Sequence, residues 1–416
     1  MNLIKLSWSY IKDKPLNTVL NVLLMSLGIA IILVLILLST QLDEKLSKDK
    51  RGIDLVVGAK GSPLQLILAN VYHIDFPTGN IKLNEAKALM RNRLIKSAIP
   101  LATGDNYRGF RIVGTNHDYV KLYEAAVAEG ELWKNNLEVT IGSKVALRLG
   151  LKIGDEFFGA HGMTVSDMEH DEASYRVVGI LEAGNSVLDN LILTNIESVW
   201  LVHEHEEEDH EHEEGHEEEP ELGSAYETGL PVGDEDAEIT SMLLQFRSPM
   251  GAVQLPRQIN SNTNMQAASP AFETQRLFSL LGIGVNMIRS FAYIIIVIAG
   301  LSIFISLYNA LKDRKYDLAI MRSLGASRGR LFVHVILEGI IITTFGGLLG
   351  FVLGHGLMEM LASYYEKSEE VGISGLVFVN QELIVLVLSI GVGIVSALIP
   401  ALNAYRTDIS KVLAQD

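Results

Sequence analysis

The chain has 416 residues, 48% of them apolar, no cysteine and a formal net charge of −16. The absence of Cys excludes structural disulfides, thiol catalysis and Cys-based zinc or iron–sulfur sites, and the acidic balance argues against nucleic acid as a partner. Charge is nearly absent from a few long apolar runs and dense between them, which excludes an ordinary soluble enzyme, a disordered chain and a small disulfide scaffold.

Residues 1–14 form an amphipathic segment carrying Lys5, Lys12 and Lys14 against Asp13. It is long for the charged end of a signal peptide, and no small-x-small cleavage pattern follows it. From Pro15 to Leu42 no charged residue occurs across 28 positions, enough helix to cross about 30 Å of hydrocarbon. Residues 15–42 are therefore predicted as the first transmembrane helix.

Residues 43–275 read as a large mixed α/β domain of two subdomains. IDLVVGAK and LILANVYHI are apolar with β-branched cores, and Asn84 to Ser97 has helical patterning. FRIVGTN, SYRVVGILE, SVLDNLILT and ITSMLLQFRS read as strands, SKVALRLG as a short helix closed by Gly150, and GDEF as the opening of a strand. NSNTNMQAASP, Asn260 to Pro270, reads as a polar link, and Ala271 to Met287 as a helix running into the next span.

A stalk and second span occupy 276–311, with Ser290 to Leu311 uncharged. A basic loop follows at 312–330, then a glycine-rich third span at 331–358, an acidic loop at 359–382, a fourth span at 383–405 and a tail at 406–416. Small residues such as those in GGLLGFVLGHG let helices approach closely in a membrane. The loop 312–330 holds six basic residues and two acids, whereas 359–382 holds one base, Lys367, and five acids. The positive-inside rule thus predicts both termini and the 312–330 loop in the cytoplasm and the α/β domain outside. The fold class is an α-helical membrane protein with four transmembrane helices and a large mixed α/β periplasmic domain inserted between helices 1 and 2. Within it, 43–275 carries 20 basic and 39 acidic side chains, net −19, leaving +3 for everything else.

Residues 203–219, HEHEEEDHEHEEGHEEE, hold His203, His205, His210, His212 and His216 among eleven acids. Imidazole and carboxylate together suit Zn²⁺ or another divalent metal. The i,i+2 pairs do not share a helix face, so a metal-collecting loop over 203–238 fits the pattern better than a catalytic centre, and a plain acidic insertion is the competing reading. His161, Asp167, Glu169, His170 and Asp171 make a second His/acid cluster in an expected hairpin.

The segment KDRKYDLAIMRSLGASRGRLFVHVILEG, Lys312 to Gly339, contains a short amphipathic helix on which Leu318, Met321 and Leu324 can share one face and which Gly325 ends. A short positive helix between two spans is well placed to dock a soluble partner. This segment, the terminal pattern Pro400, Ala404, Tyr405, Arg406 and Asp408, and the blocks VVGAKGSPLQLIL and IGSKVALRLGLKIGD resemble the FtsX-like and MacB-like ABC transporter permeases, the lipoprotein-releasing and macrolide-export relatives of the type VII superfamily.

The resemblance implies a permease subunit in the bacterial inner membrane, acting as a homodimer or with a paralogous permease and surrounded by membrane lipids. Two copies of a separate ABC ATPase would bind ATP and Mg, and a periplasmic adaptor or substrate carrier is a further expected partner. It also implies that the helix holding Tyr316, Asp317, Leu318, Met321, Arg322, Leu324 and Gly325 couples to that ATPase. Glu338, Pro400 and Arg406 match positions typical of the family. The chain has no GxxxxGK[ST] phosphate loop and is expected to be non-catalytic, with no cofactor of its own beyond a divalent metal at the His-rich loop. Its function would be to couple ATP hydrolysis to movement of the periplasmic domains, for export or extraction of a lipoprotein, peptide or drug, or for mechanotransmission. The alternative is a membrane receptor or scaffold that senses periplasmic divalent metal without transport.

Overall fold

Two helices open the chain in the computed structural model, which describes residues 3–161, 169–209, 227–231, 237–364 and 373–406. Helix α1 spans Leu3–Asp13 and α2 spans Pro15–Asp49. Pro15 stands at the first position of α2, where a missing N–H costs nothing and a fixed φ suits the helix. With 35 residues, α2 is about 52 Å long, so the helix continues beyond the apolar run ending at Leu42.

The α/β part begins with β1 (Leu55–Ala59), α3 (Pro63–Asn70), β2 (Ile81–Lys82) and α4 (Leu83–Met90). LILAN, apolar with a single β-branched residue, Ile67, is helical because Ser62 caps α3 through Gln65 N and Pro63 starts its first turn. The helix expected over Asn84–Ser97 ends at Met90 instead. Asn92 Oδ1 accepts a bond from Leu94 N at 3.0 Å, a local turn that competes with the helix ladder. Ile95 then enters β3 (Ile95–Tyr107).

Next come β4 (Phe110–Gly114), α5 (His117–Leu122), β5 (Val127–Gly130), β6 (Glu138–Ile141), α6 (Ser143–Leu149), β7 (Glu156–His161) and β8 (Glu169–Leu181). Gly150 closes α6 with φ of 69°, a left-handed cap that glycine takes without strain. Only the second half of SVLDNLILT is a strand, β9 (Leu191–Thr194); Val187–Asn190 is a 3₁₀ turn. After α7 (Ile196–Asp209) follow β10 (Glu238–Ile239), β11 (Ser241–Phe246), α8 (Met250–Asn262) and β12 (Met265–Ala268). The stretch read as a polar link thus forms the end of a helix and an edge strand. Asn260 makes this workable: its Nδ2 donates to Ala267 O at 3.1 Å and its Oδ1 accepts from Ala267 N at 2.6 Å, so the outer edge of β12 is satisfied by a side chain.

One mixed sheet runs in the order β12-β1-β11-β3-β4-β9-β6-β8-β5, with β7 paired to β3 and β8. The pairs β4·β9 and β6·β8 are parallel. The long strand β3 pairs with β11 through its first half and with β4 through its second, with a register irregularity between Thr103 and Asn106. Two cores form along this sheet. One gathers Leu55, Val57, Met242 and Leu244 under α4 and α8; the other gathers Ile112, Val139, Ile141, Tyr175, Val177 and Ile192.

The chain closes with α9 (Pro270–Asp313), α10 (Lys315–Ser323), α11 (Arg328–Tyr364) and α12 (Asn380–Arg406). The stalk helix expected from Ala271 is continuous with the second span, as α9 shows. Helices α2, α9, α11 and α12 are long and apolar enough to cross a membrane. Two compact units result: a helical unit of residues 1–43 and 280–416, and an inserted α/β unit of residues 44–279.

Glycine decides how closely the helical unit packs. A methyl carbon at Gly350 would lie 2.8 Å from Ile29 Cβ and from Ser26 O of α2, and one at Gly346 would lie 2.8 Å from Met25 Cβ. On another face of α11, a methyl at Gly339 would lie 2.8 Å from Gly393 O and Ala397 Cβ of α12. Backbones this close gain dispersion contacts that larger residues would block.

Candidate functional site: the short helix between the second and third spans

Helix α9 ends at Asp313, Arg314 makes the turn, and α10 begins at Lys315. Leu318 N bonds back to Arg314 O at 3.1 Å, which starts the new helix directly from the end of α9. Its inner face is apolar. Leu318 is 3% exposed, and it clusters with Leu311, Leu331, Val335, Ala401 and Ala404, with Met321 packed against them. The helix therefore rests on the ends of α9, α11 and α12 together.

Leu324 departs from the expected common face. It follows the last helical residue, caps α10 with φ of −80° and is 83% exposed. Gly325 then takes φ of 97° with nothing within 4 Å of where a Cβ would stand, so the chain turns away before Leu324 can reach the cluster. Tyr316 and Ile320 are also exposed, at 48% and 37%. Together with Leu324 they form an outward apolar edge on a basic loop. Asp317 is exposed, and Arg322 half-buried.

Beneath α10 sits a charge cluster. Arg314 reaches Glu338 Oε1 at 3.7 Å and Asp13 Oδ2 at 3.5 Å, with its own side chain 13% exposed. Lys14 pairs with Asp313 beside it. Ser7 Oγ lies 2.8 Å from His334 Nδ1, with both residues buried. The helix α1 is thereby fastened to the start of α11 through polar contacts. A cavity of about 20 Å³, lined by Leu307, Arg314, Leu318, His334 and Glu338, lies between these groups and is large enough for one water. A carboxylate buried among apolar neighbours needs a cation beside it, and Arg314 is that cation.

Glu338 was legible as a charge near the start of an apolar span; its partner was not. Arg314 lies 24 positions earlier, a spacing with no helical or strand meaning, and joins it only because the end of α9 and the turn after it meet the first turns of α11. Ser7 and His334 were missed for the same reason. Pro400 is buried inside α12, where it removes an intrahelical bond. Arg406 is exposed at the last turn, where a cation suits the helix dipole.

The His-rich tract gives no described centre. His203 and His205 fall on α7, and His210, His212 and His216 lie outside the described residues. The second His/acid cluster is placed on a hairpin, with His161 ending β7 and Glu169, His170 and Asp171 opening β8; Asp167 lies outside the described residues. Among the described residues no group of three or more His, Cys, Asp or Glu side chains could hold a metal.

Four apolar helices long enough to span a membrane, an α/β unit inserted after the first of them and a short helix between the second and third define a multi-pass membrane protein with a large extramembranous domain. Residues 18–219 match the family described as MacB-like periplasmic core domain, and residues 289–409 match that described as FtsX-like permease C-terminal. The chain belongs to the FtsX-like/MacB-like ABC transporter permease family. It is similar to the ABC transporter permease YvrN of Bacillus subtilis, at 21% identity over 97% of each chain. It is also similar to the macrolide export ATP-binding/permease protein MacB of Neisseria gonorrhoeae, at 18% identity over 99% of this chain and 63% of that one. Among solved structures, the periplasmic region of MacB from Actinobacillus actinomycetemcomitans aligns with a TM-score of 0.32 and 13% identity, covering 56% of this chain and 97% of that one.

Proposed function

We propose that this permease couples ATP hydrolysis by a separate ATPase subunit, in two copies, to movement of the inserted α/β units of a permease pair. The pair is a homodimer or includes a paralogous permease. The termini and α10 lie in the cytoplasm and the α/β unit outside, by the distribution of basic residues. The work done is export or extraction of a lipoprotein, peptide or drug, or transmission of force to a periplasmic partner such as an adaptor or substrate carrier.

One observation carries this reading. Helix α10 is seated on the span ends by Leu318 and Met321, yet presents Tyr316, Ile320 and Leu324 outward. An apolar edge on a firmly seated lever is what a soluble motor subunit needs to grip. Leu324→Asp should leave the protein folded, abolish co-purification with the partner ATPase and remove its stimulation. Met321→Asp, by contrast, should lower the melting temperature itself, because Met321 packs inward. Retention of full stimulated ATPase activity by Leu324→Asp would overturn the proposal. Divalent metal at the His-rich tract remains part of the reading. Zinc titration of the full chain, compared with the variant in which all five tract histidines are changed to Ala, should show binding that the variant loses.

A further inference from the structure

The end of the helical unit remote from α10 holds a second polar centre, built from three helices and the segment between the third and fourth spans. Gln41 near the end of α2 makes a two-point contact with Ser374: its Nε2 donates to Ser374 O at 2.8 Å, and its Oε1 accepts from Ser374 N at 2.8 Å. Glu359 of α11 accepts from Gly375 N at 2.7 Å and from Ser374 Oγ at 3.2 Å. Glu382 of α12 accepts from Val379 N at 3.0 Å. In the middle stands His355 of α11, whose Nδ1 lies 2.6 Å from Gly375 O and whose Nε2 lies 3.1 Å from Glu382 Oε2. The imidazole is flanked by Phe351 and Phe378, with ring centroids at 4.4 Å and 4.9 Å. Gly375 is buried against α11, and a methyl there would lie 2.6 Å from Glu359 N.

The hydrogen-bond inventory makes this more than a packing feature. A backbone carbonyl only accepts, so the bond to Gly375 O requires a proton on Nδ1. Neutral imidazole then has a bare lone pair on Nε2, and this nitrogen faces a carboxylate oxygen, which also only accepts when ionised. Both bonds exist together only if the His355–Glu382 pair holds one proton more than neutral imidazole plus carboxylate. Glu382 is 2% exposed, so water does not rescue the pair if that proton leaves. Besides His355, the titratable side chains that hydrogen-bond within this centre are Glu359 on α11 and Glu382 on α12, and α2 contributes the uncharged Gln41.

We propose that His355 and Glu382 form a single-proton binding site, and that occupancy of this site staples residues 374–379 to the ends of α2, α11 and α12. With the proton bound, the segment is held and the three helix ends are tied to it. When it is lost, carboxylate and lone pair repel, the bonds through Gly375 and Val379 loosen, and the helix ends separate from the segment. The site thus ties the arrangement of the spans at this end to whether that proton is bound. Nothing in this depends on the identity of the ATPase or of the substrate.

Isosteric replacement separates a proton switch from a structural contact. In Glu382→Gln the amide nitrogen can donate to Nε2 of neutral His355 while the amide oxygen still accepts from Val379 N, so the staple persists without any added proton. The experiment is amide hydrogen exchange on the full chain in lipid nanodiscs, read on peptides covering 373–380 and corrected for the intrinsic pH dependence of exchange. In the unaltered protein, protection should fall by at least about tenfold between about pH 5.5 and about pH 8.5, the loss expected when a charge-assisted bond is broken. In Glu382→Gln it should stay high and change less than about threefold over the same range. In His355→Phe, which keeps the aromatic stack but cannot bind the proton, protection should be low at both values. The proposal is overturned if protection in the unaltered protein does not change with pH. It is equally overturned if Glu382→Gln or His355→Phe keeps the unaltered protein's pH dependence.

Discussion

Arg314 places one guanidinium, 13% exposed, beside the 10% exposed side chain of Glu338 and the more open Asp13. Removing one partner of a buried pair strands the other, at about 3–5 kcal/mol, whereas replacing both with apolar groups is often neutral. Arg314→Ala should therefore lower the melting temperature sharply, and Arg314→Met combined with Glu338→Leu should recover most of it; equal destabilisation by the single and double changes would contradict the pairing. His73 makes a separate case in the α/β unit. It is buried, with φ of 54°, and its Nε2 lies 2.9 Å from Tyr119 Oη. Burial, reinforced by the Arg111 charge, pushes its pKa down to about 3. The unfolded chain takes up a proton near pH 6.5, and the folded one does not until far lower. The neutral ring therefore contributes stability that is fully present above about pH 6.5 and is lost as pH falls towards about 3, at up to about 1.4 kcal/mol per pH unit. Thermal unfolding of the full chain between pH 7 and pH 5 should show a smaller loss for His73→Phe than for the unaltered protein. Neither the Arg314 pairing nor the His73 burial was legible in the sequence, because each depends on residues brought together from distant segments.

Among the elements, α11 shows how glycine position sets the packing of the spans. Gly350 lies against α2, with 2.8 Å available to a methyl, whereas Gly356 has nothing within 4 Å. Gly350→Leu should destabilise the helical unit by more than the about 1–3 kcal/mol typical of overpacking, since backbone stands in the way. Gly356→Leu should leave the melting temperature within a few degrees of the unaltered protein. The glycine richness of this span was evident from its sequence, but the face each glycine occupies was not. Other elements were misread for definable reasons. The helix over Asn84–Ser97 has continuous helical patterning, yet Asn92 turns the chain and β11 recruits Ile95 onward as a strand. β12 looks like a link because it is short and lies within the polar stretch NSNTNMQAASP, and only pairing with β1 makes it a strand. Gly150 and Gly325 are the opposite case, where local chemistry fixed the boundary.

Across the whole molecule, the chain enters the α/β unit through the last turns of α2 and leaves it through the first turn of α9. Tyr72 touches both ends. Its hydroxyl donates to Leu46 O at 3.2 Å and lies 2.8 Å from Thr274 Oγ1, and burial raises its pKa to about 12, which keeps the phenol a donor. Tyr123 Oη adds a bond to Asp49 O at 2.6 Å. Tyr72→Phe should cost about 1–3 kcal/mol and speed amide exchange in 44–49 and 270–276 together; exchange rising in only one of the two segments would show that the phenol does not join them. The segregation that defines this protein is already written along the chain: four apolar spans, a strongly acidic insertion of net −19 and a remainder of +3. Length, hydropathy and charge are properties of contiguous residues, so they survive without coordinates. Coordinates are needed to see which carboxylate meets which cation, that two cores share one sheet, that Leu324 faces outward, and that His355 meets Glu382. Each of these depends on distances between segments far apart in the chain, and sequence order does not set those distances.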